Sequence, residues 1–406
     1  MVIISAPWIV PIDIPVIQDG GIVVADGRII DIGKRDDLVR SYPQSPETSY
    51  SCVLMPGLVN AHMHLELSHL QNSIEPLPNQ KFTDWIDALI TLRATNEYSR
   101  EKIVETFTAA LHDQYNSGVV LIGDTGNEDY EELRRLGDDF QPKVLRMLEH
   151  LGPNREACRI ALEKLTQLDT RISVTGHAPY STAPELLLEI KTRCNQLQHI
   201  FSIHTCESRE EREFLRTGSG CFRDFLEKKN SWDGVFSFSE SGFAGTIEYF
   251  DHLGLLDDKT LLVHCVHVSE SELPLIKERG ARICLCPGSN KFLDVGLAPV
   301  EQMVALGLLP ALGSDSPASN KVTDIWREMQ LLVKSHPNLE HSAILAMATL
   351  GGAKALRHEA DVGCLSVGKK AKFIHVSSAS LKRCSDVNQL IKELVSGGKP
   401  TEVEWV

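Results

Sequence analysis

No stretch of this 406-residue sequence approaches the ~18 unbroken apolar residues that a membrane-spanning helix needs. The start, MVIISAPWIVPIDIPVIQDG, has no basic residue before Arg28, and Pro7, Pro11, Asp13 and Pro15 interrupt its apolar run, so it reads as neither a secretory leader nor an anchor. Positive charge is scarce: 41 Lys and Arg stand against 55 Asp and Glu, a formal net charge of −14. Such a surface repels phosphate backbones and anionic membranes, which argues against nucleic acid and lipid as partners and leaves a small molecule. It is compatible with a homodimer without implying one. The ten cysteines form no paired framework, and several sit inside apolar runs such as LLVHC at 261–265, so free thiols in a reducing cytoplasm are expected. Cys284 and Cys286 could share a metal, but they lack a second Cys pair or a histidine at finger spacing. Internal repeats and low-complexity linkers are also missing.

What is present suits a globular α/β protein with a large core: 42% hydrophobic and 24% charged residues. Residues 21–24 and 28–33 are β-rich and flank the turn Ala25-Asp26-Gly27, a hairpin signal. A second β-like patch, 371–376, follows Gly363 and Gly368 near the other end. The two ends together predict one small, discontinuous β-sandwich domain, residues 1–55 plus 360–406. Between them, short apolar runs at 53–55, 119–123, 143–148, 172–175, 200–203, 261–263, 282–285 and 308–313 alternate with helix-length segments. Eight such runs predict a (β/α)8 TIM barrel, residues 56–359.

The polar residues then fall where a barrel would use them. His62 and His64 follow Val59, Asp124 follows Gly123, Glu149 follows Leu148, His177 follows Thr175, His204 follows Ile203, His264 follows Val263 and Asp315 follows Gly313. Parallel strands open their C-terminal ends on one face, so these residues converge although they are far apart in sequence. Side chains alternate along a strand, which puts His62 and His64 on one side, able to grip one cation. Three imidazoles and one carboxylate leave room for water, the pattern of a hydrolytic site, not a closed structural one.

The stretches PGLVNAHMH from Pro56 to His64, His204-Thr-Cys-Glu207, His264-Cys-Val-His267 and Leu312-Gly-Ser-Asp315-Ser resemble the amidohydrolase superfamily, in its cytosine deaminase-like and chlorohydrolase-like branch. The likeness runs over nearly the whole chain, with the motifs in order. It implies that His62, His64, His204 and Asp315 bind one divalent metal, zinc in most such proteins and iron in some. It further implies that His264 sits beside the reacting water and that Glu207 faces the substrate ring and carries protons. The two-metal members' bridging lysine has no counterpart at the strand ends near 143–148 or 172–177.

The same resemblance implies substrate contacts for His177, Glu66, Asp84, Arg146 and Ser319. The residues alone leave other readings open: a hydrogen-bonded structural histidine at 177, a loop cap at Glu66, an amphipathic helix face around Asp84. Stretches at 220–225, 245–256, 286–290 and 314–320 resemble the deaminases of 6-amino-6-deoxyfutalosine, S-adenosylhomocysteine, methylthioadenosine and adenosine. The implied reaction is hydrolytic release of ammonia from an aminopurine nucleoside, a C–N bond hydrolysis, and the first substrate would place it in menaquinone biosynthesis. The chain departs from many relatives at Gly288, where they carry arginine, and at Pro317. Alternatives on the same scaffold are a chlorohydrolase, a guanine or cytosine deaminase or a cyclic amide hydrolase. A binding protein that has lost its chemistry fits poorly with an intact set of ligands.

Overall fold

The computed structural model describes residues 1–77, 80–95, 98–128, 130–139, 141–236 and 243–406. Its centre is built from eight parallel strands: β1 (Leu58–Met63), β2 (Val119–Gly126), β3 (Lys143–His150), β4 (Ser173–Gly176), β5 (Phe201–Thr205), β6 (Thr260–His264), β7 (Arg282–Leu285) and β8 (Ala311–Leu312). Their ladders form two four-stranded sheets, β1-β2-β3-β4 and β5-β6-β7-β8. Both seams between the sheets are bridged. At one, the amides of Ser314 and Asp315 donate to His62 O at 3.1 and 3.0 Å, and Met63 pairs with Asp315. At the other, His204 N donates to His177 O at 3.0 Å and Thr175 Oγ1 donates to Ser202 O. The backbone contacts at both seams involve candidate site residues: His62 and Asp315 at one, His177 and His204 at the other.

Helices separate the strands, and several begin where the sequence supplies a capping oxygen. Asn154 accepts from Ala157 N at 2.8 Å before Arg155–Gln167, and Ser208 accepts from Glu211 N at 3.1 Å before Arg209–Thr217. Two apolar layers result. Ile122, Leu148, Phe201 and Leu262 pack outward against Phe107, Leu111, Leu187 and Ile190. Val59, Ala61, Leu121, Met147, Leu261, Val263 and Cys284 form a second cluster with Ala353, Ala355 and Leu356, so the helix Gly352–Ala355 plugs the barrel. Gly352 allows this approach, since a Cβ there would lie 2.7 Å from Val59 Cβ.

The expected β-sandwich layer is realised as one continuously hydrogen-bonded, seven-stranded sheet drawn from both ends of the chain. Its order runs Val403–Trp405, Phe373–Val376, Val53–Pro56, Val2–Ile9, Ile17–Ala25 and Arg28–Lys34, with Glu47–Ser49 also pairing to Val2–Ile9. The hairpin turn sits at Asp26 (φ 50°) and Gly27 (φ 71°), the two left-handed positions a type I′ turn requires. One expectation is corrected. The run at 53–55 is not a barrel strand: it pairs with Val2–Ile9 and Phe373–Val376, and the barrel begins at Leu58. Both environments bury four or more consecutive residues, so the apolar pattern is the same in each. All ten cysteines are free thiols. Among the described residues, no helix is long and apolar enough to cross a membrane.

Candidate active site

The C-terminal strand ends bring His62, His64, His204 and Asp315 together, with one donor atom from each lying within 4.8 Å of the others. His62 Nε2 and His64 Nε2 are each 3.4 Å from Asp315 Oδ1, and His64 Nε2 is 3.3 Å from His204 Nε2. Four ligands at about 2.0–2.1 Å from one tetrahedral cation are separated by about 3.3–3.4 Å. The spacing of these donors therefore fits a single divalent ion of zinc's size. His62 Nε2 is fully buried and makes no hydrogen bond, as expected for an atom whose lone pair is kept for a metal.

Surrounding residues fix the ring tautomers. His204 Nδ1 donates to the His177 carbonyl at 2.7 Å, which leaves its Nε2 lone pair facing the cluster. His62 Nδ1 lies 3.3 Å from Thr125 Oγ1, which in turn donates to Met63 O at 3.4 Å, so the same logic frees His62 Nε2. Asp315 is held from behind: Ser289 Oγ and Ser319 Oγ donate to its Oδ2 at 2.5 and 2.9 Å, while Oδ1 faces the histidines. Burial presses Asp315 toward neutrality, but His62 and His64 outweigh it and hold the carboxylate well below its ordinary range. The converse balance lifts His64 to about 9, where Asp315 overcomes burial, and leaves His62 at about 4, where burial wins.

Two further groups close over the cluster. Burial, with Asp315 and Glu211 nearby, pushes Glu207 well above the usual carboxylate range, which favours its protonated form. Its Oε1 stands 3.4 Å from His264 Nε2. His264 Nδ1 lies 3.0 Å from Asn290 Oδ1, which can only accept, so its Nε2 is an acceptor turned to the site. Burial keeps this imidazole neutral. The backbone of Glu207 is set by Glu211, whose carboxylate accepts from Cys206 N at 2.7 Å and Glu207 N at 3.1 Å. Three strand exits turn through left-handed backbone to present these side chains: Cys206 (φ 51°), His264 (φ 74°) and Asp315 (φ 57°). Such strain, about 1 kcal/mol or more per residue, collects where function demands an orientation that packing does not.

The residues expected to touch substrate divide. His177 lies beside the cluster, its ring centroid 5.0 Å from that of His204, with Nδ1 2.6 Å from Ser181 Oγ. Tyr180, stacked on Phe222 at 4.0 Å, lies 5.8 Å from it, so two aromatic rings stand behind His177. Glu66 and Arg146 instead engage each other. Arg146 donates to Glu66 Oε2 at 2.9 Å and also to Asp124, while Glu66 accepts from the amides of Asn127 and Glu128 at 2.8 and 2.9 Å. Asp124 in turn accepts from Leu65 N at 2.8 Å, so this ion cluster braces the backbone next to His64. Asp84 is exposed on the first turn of Phe82–Thr95, and Ser319 is occupied with Asp315. Charged and hydroxyl residues after a strand look alike in sequence whether they face a ligand or one another. Of Thr125, Ser289 and Asn290, which orient His62, Asp315 and His264, the last two lie in the 286–290 stretch that carries the resemblance, though nothing there gave their role, while Thr125 is marked only by its nearness to a strand end.

Gly288 also finds its reason. Its amide donates to Glu328 Oε2 at 2.6 Å, and a Cβ there would meet Glu328 Oε1 and Asn320 Nδ2 at 2.4 Å. A larger residue here would have to displace the ends of the Glu328 and Asn320 side chains.

The comparisons with known proteins agree with this geometry. The model of the amidohydrolase family matches residues 53–403, and a short segment, 20–44, matches a bacterial imidazolonepropionase-like composite domain. A 5-methylthioadenosine/S-adenosylhomocysteine deaminase of Moorella thermoacetica is 29% identical over 426 residues, covering all of this chain and 92% of the relative. A like-named protein of Nitratidesulfovibrio vulgaris is 29% identical over 389 residues, 88% of this chain and 79% of its own. Among solved structures, Helicobacter pylori aminofutalosine deaminase in complex with methylthio-coformycin superimposes with a TM-score of 0.84 at 25% identity, covering 100% of this chain and 98% of that one. A zinc-bound adenosine deaminase of Xanthomonas campestris shares the fold, with a TM-score of 0.79 at 23% identity over 99% and 90% of the two chains. With the family model spanning most of its length and its ligand cluster assembled, this chain belongs to the amidohydrolase family.

Proposed function

We propose that this protein is a metal-dependent aminohydrolase that removes the exocyclic amine of an aminopurine nucleoside. The substrates in view are 6-amino-6-deoxyfutalosine, S-adenosylhomocysteine, methylthioadenosine and adenosine. The observation that carries the reading is the pairing of an acid with a base across one small site: Glu207, whose protonated form burial favours, and Asp315, kept ionised by its donors, with His264 beside them. The names of the relatives at 29% identity and of the aminofutalosine deaminase support the substrate class.

His62, His64, His204 and Asp315 would hold the cation, zinc by preference. When bound, such an ion brings the pKa of a water toward neutrality and acts as a Lewis acid. The protein's own groups do the rest. Asp315, its Oδ2 steadied by Ser289 and Ser319, takes the water's proton. Glu207 gives its proton to the ring nitrogen next to the amine-bearing carbon, which makes that carbon electrophilic. His264, neutral and steered by Asn290, positions the attacking oxygen as the carbon becomes tetrahedral. The proton held on Asp315 then passes to the amine, which leaves as ammonia, and the hydroxyl proton on that carbon goes to Glu207 as the ring carbonyl forms. The stacked rings of Tyr180 and Phe222 behind His177 suit a flat base.

Zinc-loaded protein assayed for ammonia release from those four nucleosides, guanine and cytosine, with a chelated control, tests the proposal. Chelator-sensitive turnover of one nucleoside at kcat/KM of about 10⁴ M⁻¹s⁻¹ or more is expected. Ammonia from none of them, with metal bound, would overturn it in favour of a ring halide or cyclic amide substrate.

A further inference from the structure

Glu149 ends the part of β3 that reaches the site, and its carboxylate is not explained by anything around it. The side chain is only 4% exposed. Oε2 accepts from Asn127 Nδ2 at 3.2 Å, but Oε1 is buried without a hydrogen-bond partner. Among the described residues no lysine or arginine pairs with it. The nearest charged candidate is His204, whose Nδ1 lies 3.7 Å from Oε1, beyond hydrogen-bond range, and has already committed its hydrogen to the His177 carbonyl. A buried carboxylate oxygen left empty is costly, and proteins retain one where a donor arrives from outside.

Its placement says which donor. Glu149, His177 and His204 bring ligand atoms within 4.8 Å of one another, as do Glu207, His264 and Asp315. The two groups meet at His204, whose ring has those of His264 and His177 as neighbours at centroid distances of 5.5 and 5.0 Å. A purine whose reacting carbon sits at the Glu207 and His264 end directs its glycosidic end toward His177 and Glu149. We infer that Glu149 Oε1 is the acceptor for the sugar hydroxyls of the substrate, and so selects a ribosylated base over a free or deoxygenated one. This rests on the nucleoside reading above. Asn127, anchored to both the carboxylate and the carbonyl of Glu149 at 3.2 Å, holds the acceptor in place.

The test compares adenosine with 2′,3′-dideoxyadenosine, using the zinc-loaded wild type and its Glu149→Ala and Glu149→Gln variants. Hydrogen bonds to a charged group predict that the wild type prefers the ribosyl substrate in kcat/KM by about 10- to 100-fold. In Glu149→Ala that preference collapses to within about threefold, through a rise in KM for adenosine with metal content unchanged; Glu149→Gln, which keeps an acceptor oxygen and the side chain's shape, retains part of it. A preference that survives in the Ala variant would overturn the assignment. So would an equal loss of kcat for both substrates together with loss of metal, which would mark Glu149 as a brace for His204. A wild type inert toward both of these and toward the other three nucleosides proposed above would instead remove the deaminase reading, and this assignment with it.

Discussion

The two hydroxyls behind Asp315 offer the sharpest test of how the site is held. Ser289 and Ser319 both donate to Asp315 Oδ2, and their own oxygens are 3.1 Å apart, so each can partly cover for the other. A hydrogen bond to a carboxylate contributes about 1.5–3 kcal/mol, and 1.36 kcal/mol is a factor of ten. Ser289→Ala or Ser319→Ala alone, with the remaining hydroxyl in place, should lower kcat by about tenfold. The double variant leaves a buried carboxylate oxygen bare and free to swing, and should lose about 10³-fold, more than the ~10²-fold that two independent tenfold losses would give. The assay is steady-state ammonia release with metal content measured on the same samples, run as a double-mutant cycle. Purely additive losses would show that the hydroxyls act independently. A double variant within twofold of wild type at full metal occupancy would refute the claim that they orient Asp315.

Glu207→Gln should bind its metal normally yet lose at least about 10²-fold in kcat, the usual size of a lost general acid; metal loss with unchanged turnover per bound ion would remove Glu207 from the reaction. Arg146→Met should destabilise the fold by about 3–5 kcal/mol, because Asp124 and Glu66 would be left buried without their cation, and a denaturant midpoint matching wild type would contradict that brace. Burial raises Glu328 from 4.5 to about 8 in the folded state. The native chain thus keeps a proton that the unfolded chain gives up above about 4.5, and this contribution to stability is lost as pH rises toward about 8. Glu328→Gln should flatten the fall in Tm between about pH 5 and 8, and identical Tm-against-pH curves for variant and wild type would count against it.

The convergence of His62, His64, His204 and Asp315 was legible because each follows an apolar run and the barrel sends the ends of those runs to one face. The shared side of His62 and His64 reads from strand periodicity, while the roles expected of His204, His264 and Asp315 rest on the family resemblance. Residues that orient the ligands were not legible. Ser289, Asn290 and Thr125 matter only because of which strand lies next to which, and pairing across a closed barrel joins segments such as 62 and 314 that nothing local connects. The bond between Glu66 and Arg146 was not legible either: one lies in the turn after β1 and the other within β3, and only the fold brings them together. The run at 53–55 was misplaced because an apolar stretch reports burial but not which sheet provides it.

The seven-stranded sheet has a consequence for how the chain must be made. Val53–Pro56 leads almost directly into β1, yet its antiparallel neighbour, Phe373–Val376, lies some three hundred residues further along. During synthesis from the N-terminus one edge of that strand waits uncovered while the whole barrel is translated, and an uncovered edge is a template for the wrong partner. Ribosomes that pause or terminate within the barrel would therefore release a species with a sticky edge, not a smaller stable domain, and expression yield should respond more to elongation speed and chaperone supply than to the stability of the finished protein.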